Sequence, residues 1–208
     1  LLKKNKVTYL KGTGSFKSKN QILIKDDKNN ETIIQAEKVI IATGSVPVSL
    51  PGIDIDEKVI VSSTGALKLE KVPKKMVVVG GGYIGLEMGS VWSRLGTEVT
   101  VVEYLDHITP GMDREVSKEF QKILTKQGMK FRLNSKVTKI KDLIKSVEVE
   151  FTENKTLKKE KIEADKVLVS VGRSPYTEGL NLTKVGIKKD NKGRIEVNDK
   201  LQTSIKNI

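Results

Sequence analysis

The chain has 208 residues, of which 37% are hydrophobic and 31% charged, and its formal net charge is +12. This composition is that of a globular protein with an apolar core, and the lack of cysteine excludes disulfides, zinc–thiolate sites and thiol catalysis from these residues. No apolar run approaches the roughly 20 residues that a membrane-spanning helix requires, and the charged start LLKKNKVTYL is unlike a signal peptide.

The positive charge comes from 33 lysines and only 5 arginines, which are spread along the chain among acidic residues. Base readout in DNA favours arginine, and single-stranded nucleic acids bind to aromatic platforms, yet aromatic residues make up only 4% of this chain. A solvated, lysine-rich surface therefore explains the charge better than nucleic-acid binding does. We expect no nucleic-acid partner and no membrane partner.

The first 75 residues are predicted to form short strands, then a loop and a crossover segment. The three strands are placed at 21–25, 32–35 and 38–44. The apolar run at 39–42 is typical of a strand that is buried on both faces. Proline and glycine at 45–52 indicate a loop, and a short helix is expected at 64–69.

The pattern from residue 75 onward indicates alternating strands and helices. A buried strand at 75–79 runs into three glycines and then into a helix at 84–95. Gly96 ends that helix, and a second strand follows at 98–103. This order predicts a layered α/β domain.

The second half of the chain adds another helix and a series of strands. Asp113 is expected to cap a helix that ends at Gly128. The apolar face of that helix is predicted to consist of Val116, Phe120, Ile123 and Leu124. Further strands are placed at 129–133, 136–140, 146–151 and 166–172, and the tail at 180–208 is expected to be rich in strands.

Two distant stretches of the chain resemble each other. AEKVIIATGSVP (36–47) and ADKVLVSVGRSP (164–175) are offset by 128 residues and are identical at five of twelve positions. Each follows two strand-like segments joined by a polar turn, which indicates two related nucleotide-binding domains. A glycine loop precedes only the second copy. We therefore expect an internal part of a longer protein, with one complete dinucleotide domain and part of another.

A glycine-rich loop carries the chemistry. Gly80, Gly82 and Gly85 follow a predicted strand and open a predicted helix. In such a loop the first glycine permits a tight turn, the second lets a pyrophosphate approach the backbone, and the third lets helix and strand pack closely. The free N–H groups of the helix N-terminus favour phosphates. Glu103 ends the next strand, 23 residues after Gly80, where a carboxylate can accept hydrogen bonds from an adenosine ribose.

Glu103 also predicts which dinucleotide binds. Its carboxylate would repel the 2′-phosphate of NADP(H), and residues 104–110 contain no arginine or lysine to bind one. NAD(H) is therefore expected. The single histidine, His107, has no nucleophile or second histidine at a suggestive spacing, so neither a catalytic nor a metal site is expected; Met88 and Trp92 are interpreted as packing residues.

Three stretches, 61–67, 77–108 and 197–208, closely resemble the flavoprotein disulfide reductase family, in particular the branch that oxidises dihydrolipoamide. The resemblance implies an FAD- and NAD-dependent enzyme with an α/β fold, in which a doubly wound, Rossmann-like NAD domain is inserted in a partial FAD domain of the same type. The domain bounds expected on this basis are 1–50 for the first FAD segment, 51–73 for a connecting segment, 74–176 for the NAD domain and 177–208 for the return to the FAD domain.

The resemblance also implies cofactor contacts. The NAD loop would consist of Gly80, Gly81, Gly82, Tyr83, Ile84, Gly85, Leu86 and Glu87. Within it, Glu87 would lie near the nicotinamide, and Tyr83 near the flavin as a gate. Glu103 would bind the adenosine ribose, Val137 the adenine, and Gly172 would pass close to the nicotinamide end. For FAD, the matching positions are Gly14, Thr43, Gly44 and Ser45.

Parts of the family pattern have no match in these residues: the reactive cysteine pair, the aspartate that completes the FAD site, and the C-terminal dimerisation domain. The chain by itself is therefore expected to be inactive. The whole enzyme would be a homodimer in the bacterial cytoplasm, or alternatively in the mitochondrial matrix. Its partner would be the lipoyl domain of the acyltransferase subunit of 2-oxoacid dehydrogenase complexes. Another flavin disulfide reductase, of the glutathione or mercuric reductase type, and a non-catalytic dinucleotide-binding module stay open as alternatives.

Overall fold

The computed structural model describes residues 1–144 and 146–208, which form two compact units. One unit combines residues 1–46 with 174–208, and the other consists of residues 47–173. After a 3-10 turn at Lys3–Asn5, the elements in chain order are β1 (Thr13–Ser18), β2 (Gln21–Lys25), β3 (Glu31–Gln35), β4 (Ser45–Pro47), β5 (Ile60–Val61), α1 (Ser63–Ala66), β6 (Lys75–Val79), α2 (Tyr83–Arg94), β7 (Glu98–Val102), α3 (Arg114–Lys126), β8 (Lys130–Arg132), β9 (Ser135–Asp142), β10 (Val147–Glu153), β11 (Lys159–Ala164), β12 (Lys166–Val169), β13 (Arg173–Pro175) and α4 (Leu182–Val185).

The first unit is built on a three-stranded antiparallel sheet in the order β1-β2-β3. The turn between β2 and β3 forms because the Asp26 carboxylate accepts hydrogen bonds from the N–H groups of Lys28 and Asn30. Phe16 of β1 packs with Leu182 of α4 in a small apolar core. Residues from both ends of the chain therefore contribute to the core of this unit.

Two predictions for the first unit are wrong. The run at 39–42 forms no strand, and Ile40 is 90% exposed, because no strand of the described residues runs beside it and completes a ladder. The tail after residue 180 forms α4 and polar turns instead of strands. Its turns form because the side chains of Asp190 and Asn198 each accept hydrogen bonds from N–H groups further along the chain.

The second unit confirms the predicted α/β fold. Its five-stranded parallel sheet has the order β5-β12-β6-β7-β8. Met76 and Val78 of β6 pack in a core with residues of α2, whereas Val77 and Val79 pack in a second core with residues of β10. Successive side chains of a strand point to opposite faces, so β6 is covered on both sides. This burial accounts for its continuous apolar sequence.

The helices of this unit follow the predicted signals. α2 comes directly after the glycine loop, and Gly96 beyond it has φ +105°, the left-handed conformation that ends many helices. The Asp113 carboxylate caps α3 by accepting hydrogen bonds from two N–H groups of the first turn. Trp92 and Met88 pack in the core as predicted. The predicted apolar face of α3 is buried only at Leu124.

A three-stranded antiparallel sheet in the order β11-β10-β9 completes the second unit. It occupies the same place in the sequence as β1-β2-β3, since each of these two sheets comes directly before a copy of the internal repeat. Within the described ranges, no helix has both the length and the apolar character needed to cross a membrane.

Candidate functional site

Three neighbouring parallel strands of the second unit point their carboxyl ends at a cavity of about 1340 Å³. β6 leads into the cavity at Gly80, β7 at Glu103 and β12 at Ser170. The carboxyl edge of an open parallel sheet is where ligands of doubly wound folds bind. The cavity therefore lies where the sequence predicts a dinucleotide.

The first and third glycines of the loop are required by packing. Gly80 has φ +106°, and a Cβ atom at this position would lie 2.5 Å from the Ser170 carbonyl oxygen. A Cβ at Gly85 would lie 2.4 Å from the Gly80 carbonyl oxygen and 2.9 Å from Val78. Any larger residue at either position would push against backbone. The tight turn and the close approach of helix and strand are thus both observed.

Gly82 differs from these two glycines because the protein gives no packing reason for it. Its φ of −75° is accessible to any residue, and a Cβ atom added there would meet no protein atom within 4 Å. Gly82 lines the cavity and precedes the first turn of α2. The missing side chain leaves space for a group from outside the protein, which fits a pyrophosphate next to the backbone.

Glu103 is only 7% exposed, and its carboxylate lies against the glycine loop. Its Oε2 accepts a hydrogen bond from the Gly81 N–H at 2.5 Å, and its Oε1 accepts one from the Leu105 N–H at 2.8 Å. An ionised carboxylate can accept about four hydrogen bonds, which leaves two for a ligand. Since Glu103 lines the cavity, its remaining acceptor capacity suits a pair of ribose hydroxyls.

The other residues assigned to NAD fall into two groups. The cavity is lined by Tyr83, Ile84, Val137 and Gly172, whereas Gly81, Gly85 and Leu86 are buried behind it. Tyr83 is the first residue of α2 and is 68% exposed. Glu87 lies one turn further along α2, exposed and outside the cavity lining. Its predicted contact with the nicotinamide stays a prediction.

The residues assigned to FAD lie in the first unit. Gly14 is in β1, opposite Ile24 of β2. The Thr43 hydroxyl donates a hydrogen bond to the Tyr176 carbonyl oxygen at 2.5 Å, and the Tyr176 N–H donates one to the Gly44 carbonyl oxygen at 3.0 Å. Gly44 has φ +73°, and Ser45 begins β4. These contacts hold the segment in place within its unit, and its role in binding FAD stays a prediction.

The lining residues that were missed at the sequence level include three polar ones near the glycine loop and Val137. The Ser170 hydroxyl donates to the Val79 carbonyl oxygen at 3.0 Å and lies 3.3 Å from that of Gly80. Thr109 donates its N–H to the Gly81 carbonyl oxygen at 2.8 Å and also lines the cavity. The third is Lys136, next to Val137 on β9, which lines the cavity and is exposed. Of these three, only Lys136 could have been found from the sequence, because it is next to Val137, which was already assigned to the adenine.

Charged groups near the cavity pair with one another. Arg114 donates two hydrogen bonds to Asp106, at 2.9 and 2.7 Å, and Nδ1 of His107 lies 2.7 Å from the same carboxylate. The hydrogen bonds with Arg114, and to a smaller extent the one with His107, hold the pKa of Asp106 well below its usual range. No ion pair of Lys136 is formed within the described residues. In the same ranges no three His, Asp or Glu side chains form a possible metal site.

In a comparison with known protein families, the model described as pyridine nucleotide-disulphide oxidoreductase matches the whole chain, residues 1–208. The mitochondrial dihydrolipoyl dehydrogenase of Pisum sativum is 51% identical over 208 residues, which cover 100% of this chain and 42% of the pea protein. The dihydrolipoamide dehydrogenase of Chaetomium thermophilum is 52% identical over 209 residues, which cover 100% of this chain and 42% of that protein. The chain thus spans about two fifths of the length of the curated relatives it matches.

A solved structure shows the same fold. The Cu(II) complex of the HOCl-induced flavoprotein disulfide reductase RclA from Escherichia coli matches with a TM-score of 0.84 and 28% sequence identity. The match covers 97% of this chain and 44% of that chain.

Proposed function

This chain belongs to the pyridine nucleotide-disulphide oxidoreductase family, and from this membership we propose that residues 47–173 hold the NAD(H) of a flavin-dependent dihydrolipoamide dehydrogenase. The observation that carries the proposal is the buried Glu103 carboxylate, which lies against the glycine loop and lines the cavity. The pea and Chaetomium relatives share about half of the aligned residues with this chain and are named dihydrolipoyl and dihydrolipoamide dehydrogenase. These names support the choice of reaction.

Glu103 would hold the adenosine end of the dinucleotide through its two remaining acceptor positions, with Val137 beside the adenine. Two charges act on a 2′-phosphate at this end. Glu103 is buried and would repel it, whereas Lys136 is exposed and its attraction is weakened by water. Because the buried charge is screened less, we expect NADH to bind more tightly than NADPH.

The pyrophosphate would lie over Gly82, at the N-terminus of α2. Backbone N–H groups and the positive end of the helix dipole attract anions there without any basic side chain. The nicotinamide would extend toward Gly172, with Glu87 at its side, and Tyr83 would lie near the flavin. Bound NAD⁺ supplies the hydride acceptor of the reaction. The residues of this chain bind it, orient it and shield it from water.

The net reaction oxidises the dithiol of dihydrolipoamide to the disulfide of lipoamide and reduces NAD⁺ to NADH, with release of one proton. FAD is the second cofactor we propose, held by residues that include Gly14, Thr43, Gly44 and Ser45. The corresponding domain bounds are 1–50 and 177–208 for the FAD domain, 51–73 for the connecting segment and 74–176 for the NAD domain. No catalytic group is assigned to these residues.

The whole protein would act as a homodimer on the lipoyl domain of an acyltransferase subunit in a 2-oxoacid dehydrogenase complex. The chemistry of the substrate supports this partner, because dihydrolipoamide occurs attached to such a domain. Bacterial cytoplasm stays the first expectation for its location. The name of the pea relative places that protein in mitochondria, which supports the alternative location, the mitochondrial matrix.

Titration of the chain with NADH, followed by nicotinamide fluorescence, tests the binding step. We expect saturable binding of NADH that is tighter than that of NADPH. Gly82→Ala should weaken NADH binding without lowering Tm, because its Cβ meets no protein atom but occupies the space of the pyrophosphate. Gly85→Ala is the matched comparison, and it should lower Tm as well, because its Cβ pushes against the Gly80 carbonyl. Absent binding, or tighter binding of NADPH, would contradict the proposal.

The reaction itself is tested on the whole polypeptide that carries this sequence. We expect NAD⁺ reduction to depend on dihydrolipoamide. Reduction of glutathione disulfide or of mercuric ion with NADPH would instead favour another reductase of the family. Dinucleotide binding without any of these activities would favour a non-catalytic module.

A further inference from the structure

The peptide unit between Gly81 and Gly82 is held at one end only. Its carbonyl oxygen, that of Gly81, accepts a hydrogen bond from the Thr109 N–H at 2.8 Å. A trans peptide is planar, with its C=O and N–H pointing in opposite directions, so this bond also fixes the direction of the Gly82 N–H. Within the described residues the Gly82 N–H has no acceptor.

The preceding peptide unit, between Gly80 and Gly81, is held at both ends. Its N–H donates to the Glu103 carboxylate at 2.5 Å, and its carbonyl oxygen lies 3.3 Å from the Ser170 hydroxyl. The contrast identifies the Gly82 N–H as a donor of the loop that is oriented by the bond to Thr109 but makes no hydrogen bond of its own within the described residues. Since Gly82 lines the cavity, that donor is available to a ligand.

Thr109 makes its bond to the loop from an unusual conformation. Its φ is +50°, in the left-handed region, where a β-branched residue is a clear outlier. Its hydroxyl lies 2.8 Å from the hydroxyl of Ser117, which is 1% exposed on α3. Arg114 also donates two hydrogen bonds to Asp106, which join the chain on either side of Thr109. Such strained residues persist where the surroundings hold them and occur often at functional sites.

We propose that Thr109 is a positioning residue that fixes the Gly81–Gly82 peptide, so that the Gly82 N–H faces the pyrophosphate of the dinucleotide. The Ser117 hydroxyl holds the threonine in the left-handed conformation from which its own N–H reaches the Gly81 carbonyl. This role rests on the proposed function, because it requires that the cavity binds a dinucleotide.

Calorimetric titration of the chain with ADP-ribose and with adenosine tests this role, since only ADP-ribose carries the pyrophosphate. Thr109→Val keeps the β-branch but loses the hydroxyl, and should weaken ADP-ribose binding roughly threefold to tenfold, as expected for one hydrogen bond. Its adenosine affinity should stay unchanged. Thr109→Ser keeps the hydroxyl, and Thr109→Gly accepts φ +50° without strain, so both should restore most of the affinity for ADP-ribose.

Two further variants secure the test. Thr125→Val removes an exposed hydroxyl elsewhere on α3 and should change nothing. Ser117→Ala removes the hydroxyl that pairs with Thr109 and should weaken ADP-ribose binding as Thr109→Val does. If the Thr109→Val variant fails to fold, Ser117→Ala replaces it in the test. Fluorescence of Trp92, the single tryptophan, reports whether each variant is folded.

The outcomes separate this role from the proposed function. If the unaltered chain fails to bind ADP-ribose, the proposed function falls and the role of Thr109 falls with it. If it binds ADP-ribose and the Thr109→Val chain binds it equally well, only the role of Thr109 is overturned. Equal losses for ADP-ribose and adenosine would indicate a merely structural effect and overturn it too. Equal losses in the valine and glycine variants would show that the hydroxyl itself contacts the ligand, and would also overturn it.

Discussion

The two copies of the internal repeat have similar sequences but different surroundings. In the second copy, residues Lys166–Val169 form β12, which pairs with β5 on one side and β6 on the other, and Leu168 is fully buried. Ile40 occupies the matching position of the first copy and is 90% exposed. An apolar run therefore marks residues that can be buried, whereas the strands beside it decide whether they are.

The backbone before and after the apolar run is more alike in the two copies than the run itself. Both copies follow a three-stranded antiparallel sheet, β1-β2-β3 in one unit and β9-β10-β11 in the other. Both reach a glycine with positive φ, +73° at Gly44 and +132° at Gly172. The strand pairings of the two sheets depend on contacts close in the chain. They form in both units, while the central strand forms only where distant strands flank it.

The largest expected effect is a difference in stability between matched substitutions in the two copies. Leu168→Ala should lower the free energy of unfolding by about 2–5 kcal/mol, because it leaves a cavity in a close-packed core. Ile40→Ala should change it by less than about 0.5 kcal/mol, because the side chain is already in water. Urea unfolding followed by circular dichroism measures both. Similar losses in the two variants would contradict the contrast between the copies.

A smaller effect is expected at the glycine that follows the apolar run in each copy. Gly172→Ala and Gly44→Ala each place a side chain in open space, so only backbone strain separates them from glycine. Each should destabilise by about 1–3 kcal/mol, with the larger loss at Gly172, whose φ of +132° lies in a region that is almost restricted to glycine. Thermal unfolding of both variants measures the difference. An unchanged Tm in both would show that these conformations are not required.

The smallest effect concerns charge, and it sharpens the comparison between the two antiparallel sheets. The middle strand of the second sheet carries Glu150, whose pKa is lowered to about 2 by hydrogen bonds from Lys141 and then Lys161. The middle strand of the first, QILIK, has no carboxylate. A depressed pKa stabilises the fold above the ordinary value of 4.5, and this stabilisation is lost as the pH falls toward about 2.

An NMR titration of the Glu150 carboxyl checks this prediction. Lys141→Met should raise its pKa toward the ordinary value, whereas Lys155→Met, in the turn after β10, should not. A Glu150 that titrates normally in the unaltered chain would show that these ion pairs do not form in solution.

The sequence was most informative where neighbouring residues determine the structure. The glycine loop, the start of α2 and the cap of α3 at Asp113 were all predicted from local patterns, and all are confirmed. The tail was predicted wrongly although its turns at Asp190 and Asn198 are local. Residues 39–42 were predicted wrongly because a strand there depends on flanking strands that the pattern does not contain. Ser170 was missed for the same reason, since the carbonyl it contacts belongs to Val79, 91 residues earlier.

The cavity at the carboxyl ends of β6, β7 and β12 is the proposed binding site of NAD(H). A crystal structure of the chain with NADH tests it most directly. We expect the pyrophosphate within hydrogen-bond distance of the Gly82 N–H, the adenosine ribose on the Glu103 carboxylate, and the nicotinamide toward Gly172. NADH bound elsewhere, or turned so that its adenosine lies at Gly172, would contradict the account.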